Sequence, residues 1–170
     1  MADVFLGLGS NLGDPFEQLS LAVRQIADRM RVERVSAIYR TEPVGVPDQP
    51  DFLNAVLHAR TDRDPLDLLD VLGGVEASLG RQRGVVRNGP RTIDLDLLLF
   101  DERIVEEPRL SIPHPRMTER RFVLVPLAEI APHARHAPTG KTVAELLAEL
   151  PSRQGVTRLT PVEWPPPLPR

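Results

Sequence analysis

The chain has 170 residues, a formal net charge of −3 and no cysteine. That length predicts one domain with its own core, and the lack of cysteine excludes disulfides, thiolate metal sites and a thiol nucleophile. The charge gives no basic field for nucleic acid, and no apolar run approaches the roughly 20 residues of a membrane span. The N-terminus also lacks a basic, apolar leader. We therefore expect a cytoplasmic protein that binds neither nucleic acid nor a membrane.

The basic residues are almost all of one type, since all 21 except Lys141 are arginine. The codon usage of a GC-rich genome accounts for such a total. Arginine also forms bidentate clamps on phosphate and carboxylate groups, so the placement of each arginine decides whether it has a task. A lysine essential for phosphate binding can only be Lys141.

The first half of the chain alternates strand and helix signals. Asp14 before Pro15, with Glu17 in the first turn, is typical of a helix start. A loop with three prolines occupies residues 41–51. The predicted elements are a strand at 4–8, a helix at 15–30, and strands at 32–40 and 52–60.

A second Asp-Pro helix start lies at Asp64, and Gly80 ends that helix. Its apolar face is predicted from Leu66, Leu69, Leu72, Val75 and Leu79. The elements predicted after it are a strand at 93–100, mostly loop over 101–118, and a helix at 143–150 that begins with a Thr142–Glu145 capping box.

The strands at 32–40 and 52–60 are joined by a loop and not by a helix. This favours an α+β domain with a mostly antiparallel sheet over a doubly wound parallel one. Residues 1–160 are predicted to form that single domain. Residues 161–170 contain five prolines, and we expect this tail to be extended and poorly ordered.

The strongest chemical signal is the pair Asp94 and Asp96 on the predicted strand at 93–100. Alternate residues of a strand share a face, so both carboxylates point one way, while Leu95, Leu97 and Leu99 point into the core. Two neighbouring carboxylates repel each other unless a cation lies between them. Mg²⁺ ions bridged by carboxylates and phosphate oxygens meet that need, so we predict a metal site and set it against an incidental Asp-x-Asp on a solvated edge.

Two basic groups accompany this strand. Residues 81–91 contain Arg81, Arg83, Arg87 and Arg91 with two glycines, which indicates either a triphosphate clamp or a solvated loop. The second group surrounds His114, which lies between two prolines and near Arg109, Arg116, Arg120 and Arg121. Glu76, on the apolar face of the second helix, lies five residues before the first group and is expected to pair with one of its arginines.

The glycine-rich segment at 7–13 follows a strand and opens a helix, but its spacing, G-x-G-x-x-x-G, does not fit the dinucleotide fingerprint, and a tight strand–helix turn also explains it. The residues Gly140-Lys141-Thr142 match the end of a Walker A loop, but Arg135 stands at its leading glycine position and no strand precedes it. Lys141 is therefore better explained as part of a helix N-terminus.

Asn54 alternates with Phe52 on one strand. An amide beside Phe52 and Phe122 either recognises a flat heterocycle or is a satisfied core polar group.

Taken together, these residues resemble the 6-hydroxymethyl-7,8-dihydropterin pyrophosphokinase family of folate biosynthesis. The resemblance covers residues 4–150, and the segment GPRTIDLDLL is its most specific part. The matching segments are GLGSNLG at 7–13, YRTEP at 39–43, QPDFLNA at 49–55, GRQR at 80–83, GPRTIDLDLL at 89–98, IPHP at 112–115, RRF at 120–122 and PLAEIAP at 126–132.

The resemblance implies a ferredoxin-like fold of α-β-α layers, ATP as co-substrate, two Mg²⁺ ions, and pyrophosphoryl transfer to the pterin hydroxymethyl oxygen with AMP as product. It implies a monomer whose partners are small molecules. The implied metal ligands are Asp94 and Asp96, and Asp96 is expected to help remove the hydroxyl proton. The implied nucleotide contacts are Arg81, Arg83, Arg91, Arg109, Ser111, His114, Arg120 and Glu76, with Arg83 on a mobile loop. The implied pterin pocket is Thr41, Pro43, Val44, Phe52, Asn54 and Phe122.

The chain departs from the family pattern at two positions, and its proline-rich tail beyond residue 160 matches no segment of the family. Asn88 stands where some members carry a tryptophan that covers the pterin, and Glu42 replaces a residue that is often proline. Two other classes remain open on the residues alone: a nucleotidyltransferase, whose Asp-x-Asp pair follows its Gly-Ser turn far more closely than here, and a non-catalytic nucleotide or pterin sensor.

Overall fold

The computed structural model describes residues 1–43, 48–80, 92–151, 154–161 and 163–169. Its helices and strands, in chain order, are β1 (Ala2–Ser10), α1 (Pro15–Ala27), β2 (Arg31–Val35), β3 (Ile38–Thr41), β4 (Phe52–Thr61), α2 (Pro65–Ser78), β5 (Asp94–Phe100), β6 (Val105–Glu107), β7 (Leu110–Ile112), α3 (Arg121–Ile130), β8 (Arg135–His136), β9 (Lys141–Thr142), α4 (Val143–Glu149) and β10 (Val156–Leu159). A short 3₁₀ helix, Met117–Glu119, precedes α3.

The main sheet is built around β1, which pairs with β4 on one side and β5 on the other. Both β2 and β3 pair with β4 along different parts of its length, and β10 pairs with β3 at the edge. Every pairing among the described strands is antiparallel. The predicted α+β class with a mostly antiparallel sheet is therefore confirmed.

Each face of the sheet buries its own apolar cluster. Helices α1 and α2 cover one face, where Leu6, Leu57 and Leu97 of three neighbouring strands are buried. Helices α3 and α4 cover the other face, against Phe5, Val56 and Leu98. Side chains alternate between the two faces along each strand, as the pleat requires.

The helix starts follow their local sequence signals. The Asp14 side chain accepts a hydrogen bond from Glu17 N at 3.1 Å, and Pro15 takes the first helical position. At α4 the Thr142–Glu145 capping box is present as predicted. Helix α1 ends at Ala27, three residues before the predicted boundary.

The predicted apolar face of α2 was partly wrong. Leu66 is 37% exposed, whereas Leu68, Leu72 and Val75 are at most 1% exposed and form the buried stripe. The inward face is thus rotated so that the helix buries Glu76 as well. The sequence of α2 is apolar around much of its circumference, so periodicity alone did not fix its orientation.

The predicted strand at 32–40 is interrupted at residues 36 and 37. The Ser36 hydroxyl accepts a hydrogen bond from Val56 N at 2.9 Å, and its own amide donates to Val56 O at 2.8 Å. Ala37 N donates to the Glu129 carboxylate of α3 at 3.0 Å. Side chains therefore replace part of the strand ladder at the junction between β2 and β3.

Leu99 was predicted to point the same way as Leu95 and Leu97, but a bulge in β5 turns it to the other face of the sheet. Leu97 pairs with Leu6 while Leu99 pairs with Phe5, so Leu98 is the extra residue on this strand. Leu95 and Leu97 face α1 and α2 as predicted, but Leu98 and Leu99 both join the opposite cluster. The Leu98 carbonyl accepts a hydrogen bond from His114 N at 2.9 Å.

Several other elements escaped prediction. The region 101–118 contains the β6–β7 hairpin and the 3₁₀ helix, and β10 adds a strand beyond the last predicted helix. In the described part of the tail, Trp164 and Leu168 pack against the cluster beneath α1 and α2. No helix in the described ranges combines the length and apolar character needed to cross a membrane.

Candidate active site

A cavity opens on the α3 face of the sheet, and its floor is formed by two glycines of the central strand. Gly9 lies opposite Asn54 on β4 and opposite Asp94 on β5, and Gly7 lies opposite Val56 and Asp96. Neighbouring strands are about 4.8 Å apart, so β4 and β5 stand about 10 Å apart with no side chain between them at these positions. This leaves a slot wide enough for a flat ligand.

One wall of the slot presents a fixed pair of polar groups. Asn54 is buried, and its Nδ2 donates to Thr41 Oγ1 at 2.7 Å. The amide oxygen is then the end directed toward Gly9. Because Thr41 Oγ1 is already an acceptor in this bond, its hydrogen is available to donate. The pair thus offers one acceptor and one donor to a ligand.

Phe52 and Phe122 also line the cavity, from β4 and α3 respectively. The guanidinium carbon of Arg120 lies 5.5 Å from the centre of the Phe122 ring, within the range of a cation–π contact. An aromatic wall of this kind suits a heterocycle, which explains why these two side chains are not simply part of the closed core.

The opposite wall is charged. Asp94, Asp96 and Arg120 all line the same cavity. Burial lowers the pKa of Arg120, and the nearby Asp96 and Asp94 carboxylates oppose that shift. A guanidinium remains protonated in proteins, so the wall carries both negative and positive charge.

His114 stands beside this wall, with its Nε2 4.0 Å from Asp96 Oδ1. Burial lowers the pKa of His114, Arg120 and Arg116 lower it further, and Asp94 opposes them. Arg116 N donates to His114 Nδ1 at 3.2 Å, which leaves the proton of a neutral imidazole on Nε2. His114 therefore faces the carboxylates as a hydrogen-bond donor.

Three of the predicted nucleotide-binding residues, Glu76, Arg109 and Ser111, do not line this cavity. Glu76 lies on α2 and accepts a hydrogen bond from Leu95 N at 3.0 Å, next to Asp94 and Asp96. Arg109 forms an ion pair with Asp70 of α2, with both side chains 61% exposed. Ser111 is exposed on β7. Arg109 lies in the turn between β6 and β7, and Ser111 lies on β7 itself.

Several predicted site residues fall in parts of the chain that the structure does not describe. The arginine that was expected to pair with Glu76 is among them. These are Val44 of the predicted pterin pocket, and Arg81, Arg83, Arg87, Asn88 and Arg91 of the arginine-rich segment. Pro43 is described and half-buried, directly after the cavity-lining Glu42.

The position of Gly7 and Gly9 on the floor of the cavity was not predicted from the sequence, which indicated a glycine-rich turn between a strand and a helix. They lie inside β1, which extends to Ser10. Glycine within a strand often marks a close approach of a ligand or another chain segment, and this signal was visible in the sequence. The cavity-lining position of Glu42 was also not predicted.

A narrow aromatic slot with a donor–acceptor pair, adjoined by paired carboxylates and a half-buried arginine, suits an enzyme that transfers phosphoryl groups to a small heterocyclic acceptor. The family model described as 7,8-dihydro-6-hydroxymethylpterin-pyrophosphokinase matches residues 5–132. The chain belongs to this family.

Individual relatives agree with that assignment. The chain is 46% identical over 158 residues to the 2-amino-4-hydroxy-6-hydroxymethyldihydropteridine pyrophosphokinase of Pseudomonas aeruginosa, covering 92% of this chain and 96% of the relative. It is 48% identical over 128 residues to the protein of the same name from Bacillus subtilis, covering 74% of this chain and 76% of the relative.

Among solved structures, wild-type Plasmodium falciparum HPPK-DHPS with pteroate aligns with a TM-score of 0.69 at 16% identity. The alignment covers 87% of this chain and 42% of that one. A second structure, HPPK-DHPS in complex with substrates, aligns with a TM-score of 0.68 at 15% identity over 86% of this chain and 43% of that one. This chain thus spans less than half of either, and the likeness shows a common fold.

Proposed function

We propose that this protein transfers the pyrophosphoryl group of ATP to the hydroxymethyl group of 6-hydroxymethyl-7,8-dihydropterin, a step of folate biosynthesis. The observation that carries the proposal is the single cavity that joins the Asn54–Thr41 pair to Asp94, Asp96 and Arg120. Membership of the pyrophosphokinase family supports the same reaction.

The reaction is an in-line displacement. The hydroxymethyl oxygen forms a bond to the β-phosphorus, the bond from that phosphorus to the α–β bridging oxygen breaks, and AMP departs with the electron pair. The hydroxyl proton must leave as the new bond forms, and we assign its removal to the Asp96 carboxylate. The protein's main tasks are positioning and charge neutralisation, because phosphoryl transfer needs little covalent participation from side chains.

In this proposal the pterin occupies the slot above Gly7 and Gly9. Phe52 and Phe122 hold its rings, while Asn54 and Thr41 recognise its polar edge. Pro43 and Val44 are proposed to complete the pocket at the end of β3. The slot is open toward Asp94 and Asp96, so the hydroxymethyl group would point to the charged wall.

Asp94 and Asp96 are proposed to hold two Mg²⁺ ions. The donor set fits this metal, since Mg²⁺ is usually held by one or two carboxylates together with substrate phosphates. Within the described ranges, no group of three acidic, histidine or cysteine side chains forms a fuller metal cage. When bound, the ions would neutralise charge on the triphosphate.

Arg120 and His114 are proposed to contact the phosphates from the same wall, Arg120 as a cation and His114 through its Nε2 proton. Arg81, Arg83 and Arg91 are proposed to supply the remaining positive charge, and Arg83 to close over the reactants. Arg109, Ser111 and Glu76 are proposed contacts nearer the nucleoside. Arg109 would then have to exchange its Asp70 partner for the nucleotide.

We also propose a ferredoxin-like arrangement for the fold. The order β1-α1-β3-β4-α2-β5, with β1 between β4 and β5 and with α1 and α2 on one face of the sheet, supports it, and α3 and α4 add the third layer. We further propose a cytoplasmic monomer, a state that the family resemblance implies and a location where ATP is supplied. Residues 1–160 remain the proposed catalytic domain.

The test is an assay of the purified protein with ATP, Mg²⁺ and 6-hydroxymethyl-7,8-dihydropterin. Release of AMP with formation of the pterin diphosphate is the expected result. Release of pyrophosphate would instead identify a nucleotidyltransferase, and binding without turnover would identify a sensor. Either of these results overturns the proposal.

A further inference from the structure

Residues 154–159 of the C-terminal segment run along β3, the strand that carries Thr41, and Trp164 lies at the far end of the segment. Gln154 Nε2 donates to Glu42 O at 3.4 Å. Strand β10 then pairs with β3, with Val156 opposite Thr41 and Leu159 opposite Ile38. At the far end, Trp164 Nε1 donates to Ser36 O at 2.8 Å. The contacts thus extend over the whole stretch from residue 36 to residue 42.

The stretch held in this way leads directly into the cavity. Thr41 and Glu42 line it, and Thr41 Oγ1 fixes the orientation of the Asn54 amide. Tyr39, two residues earlier on the same face of β3, donates its hydroxyl to Glu129 Oε1 at 2.7 Å. The position of β3 therefore sets the position of the donor–acceptor pair.

Without this segment β3 would be a short edge strand, although the Tyr39–Glu129 and Asn54–Thr41 hydrogen bonds would still hold its side chains. It pairs with β4 at three positions, Tyr39 to Thr41, and the interruption at residues 36 and 37 separates it from β2. A strand this short frays readily when one edge is unpaired. Strand β10 covers that edge with four further pairs.

Trp164 anchors the far end of the segment. Its ring meets Phe16 of α1 edge-on, with ring centres 6.1 Å apart, and packs against the cluster beneath α1 and α2. The proline-rich tail thus begins with an aromatic side chain that joins α1 to the β2–β3 junction.

We propose that residues 154–161 and Trp164 act as a brace for the pterin side of the cavity, with Gln154 and Trp164 as positioning residues that act through Thr41 and Asn54. The inference rests on the proposed function for its kinetic consequence. It assigns no contact with substrate to either residue.

The test compares Gln154→Ala, Trp164→Phe and Trp164→Ala with wild type in the full-length protein. Trp164→Phe keeps an aromatic ring on Phe16 and removes the N–H donor. Leu146→Ala, in the core beneath α4, is the matched control, because it loses buried apolar contact at a residue that does not line the cavity.

The brace predicts a higher KM for the pterin in the Trp164 variants, by about fivefold for the loss of one net hydrogen bond, with the KM for ATP unchanged. Leu146→Ala is expected to lower the Tm and leave both KM values unchanged. Equal pterin KM values in wild type, Gln154→Ala and Trp164→Phe would overturn the brace, and these two conservative variants serve even if Trp164→Ala does not fold.

Amide hydrogen exchange supplies a measurement that does not depend on the reaction. Exchange at Tyr39 and Thr41 is expected to be faster by about fivefold in Trp164→Phe, and unchanged there in Leu146→Ala. Unaltered exchange in Trp164→Phe would overturn the brace. Failure of wild type to release AMP would instead overturn the proposed function and leave the exchange test valid.

Discussion

The hydrogen bond from Asn54 Nδ2 to Thr41 Oγ1, 2.7 Å long, decides which end of the Asn54 amide faces the cavity. Without it the amide could turn over and exchange an acceptor for a donor. The bond joins neighbouring strands β3 and β4, so a substitution at Thr41 changes the chemistry that Asn54 presents. In the proposed function, recognition of the pterin would therefore depend on a side-chain pair that joins two strands.

Thr41→Val is predicted to raise the KM for the pterin about tenfold, which corresponds to about 1.4 kcal/mol, because it removes the hydroxyl that orients Asn54. Thr41→Ser keeps the hydroxyl and is the matched control, expected to remain near wild type. Steady-state kinetics with each substrate varied in turn measures both effects. Equal pterin KM values for the two variants would contradict this role of Thr41.

Asp96→Ala and Asp94→Ala are predicted to lower kcat by about a thousandfold or more, since metal-assisted charge neutralisation contributes several kcal/mol to such reactions. Pterin binding is expected to be partly kept, because Asn54 and Thr41 lie on the β3–β4 side of the slot, across β1 from the two carboxylates of β5. Calorimetric titration with the pterin and a turnover assay separate the two effects. Glu106→Gln, an exposed carboxylate on β6, is the control, and near-normal turnover in Asp96→Ala would refute the assignment.

His136 gives a prediction about stability and pH. Burial lowers the pKa of His136 below its usual value, so over the interval between the folded and unfolded pKa values the unfolded chain binds more protons. The free energy of unfolding therefore falls as the pH is lowered through that interval. His136→Gln is predicted to reduce this fall.

Urea unfolding at about pH 5.5 and about pH 7.5, on either side of the usual histidine pKa of about 6.5, measures the change. Val143→Ala, at a buried position seven residues further along the chain and without a titratable group, is the control and should keep the wild-type pH dependence. A His136→Gln variant with the same dependence as wild type would show that this histidine does not contribute.

Local signals in the sequence predicted the parts of the fold that local chemistry determines. Asp14 and Pro15 begin α1 as expected, and Asp94 and Asp96 line the same cavity, as their spacing on a strand requires. The fold class followed from a loop, rather than a helix, between two strands. These inferences need only neighbouring residues.

The remaining features depend on residues far apart in the chain. Glu129 of α3 completes the junction at Ala37, Asp70 of α2 pairs with Arg109, and β10 finds its partner more than a hundred residues earlier. The bulge at Leu98 arises from the register between β5 and β1. No short pattern encodes such contacts, which explains why the direction of Leu99 was predicted incorrectly and why the β6–β7 hairpin within the region 101–118 was not predicted.

The two glycines of β1 allow a matched test of the slot itself. A Cβ added at Gly9 would lie 3.0 Å from Asn54 Oδ1, which is too close unless the amide moves, whereas a Cβ at Gly7 would meet the Leu98 side chain at 3.6 Å or more, an ordinary contact. Gly9→Ala is therefore predicted to displace the amide oxygen and raise the KM for the pterin about tenfold, or about 1.4 kcal/mol. Gly7→Ala is predicted to have a much smaller effect.

Both variants place alanine in the same strand and raise its intrinsic preference for extended structure equally. A difference between them thus reports on the space above each glycine and not on β1 as a whole. Thermal unfolding verifies that both fold, and kinetics with the pterin varied measures the difference. If Gly9→Ala binds the pterin as well as Gly7→Ala does, the ligand cannot depend on the position of Asn54 above Gly9, and the slot must be assigned to another ligand.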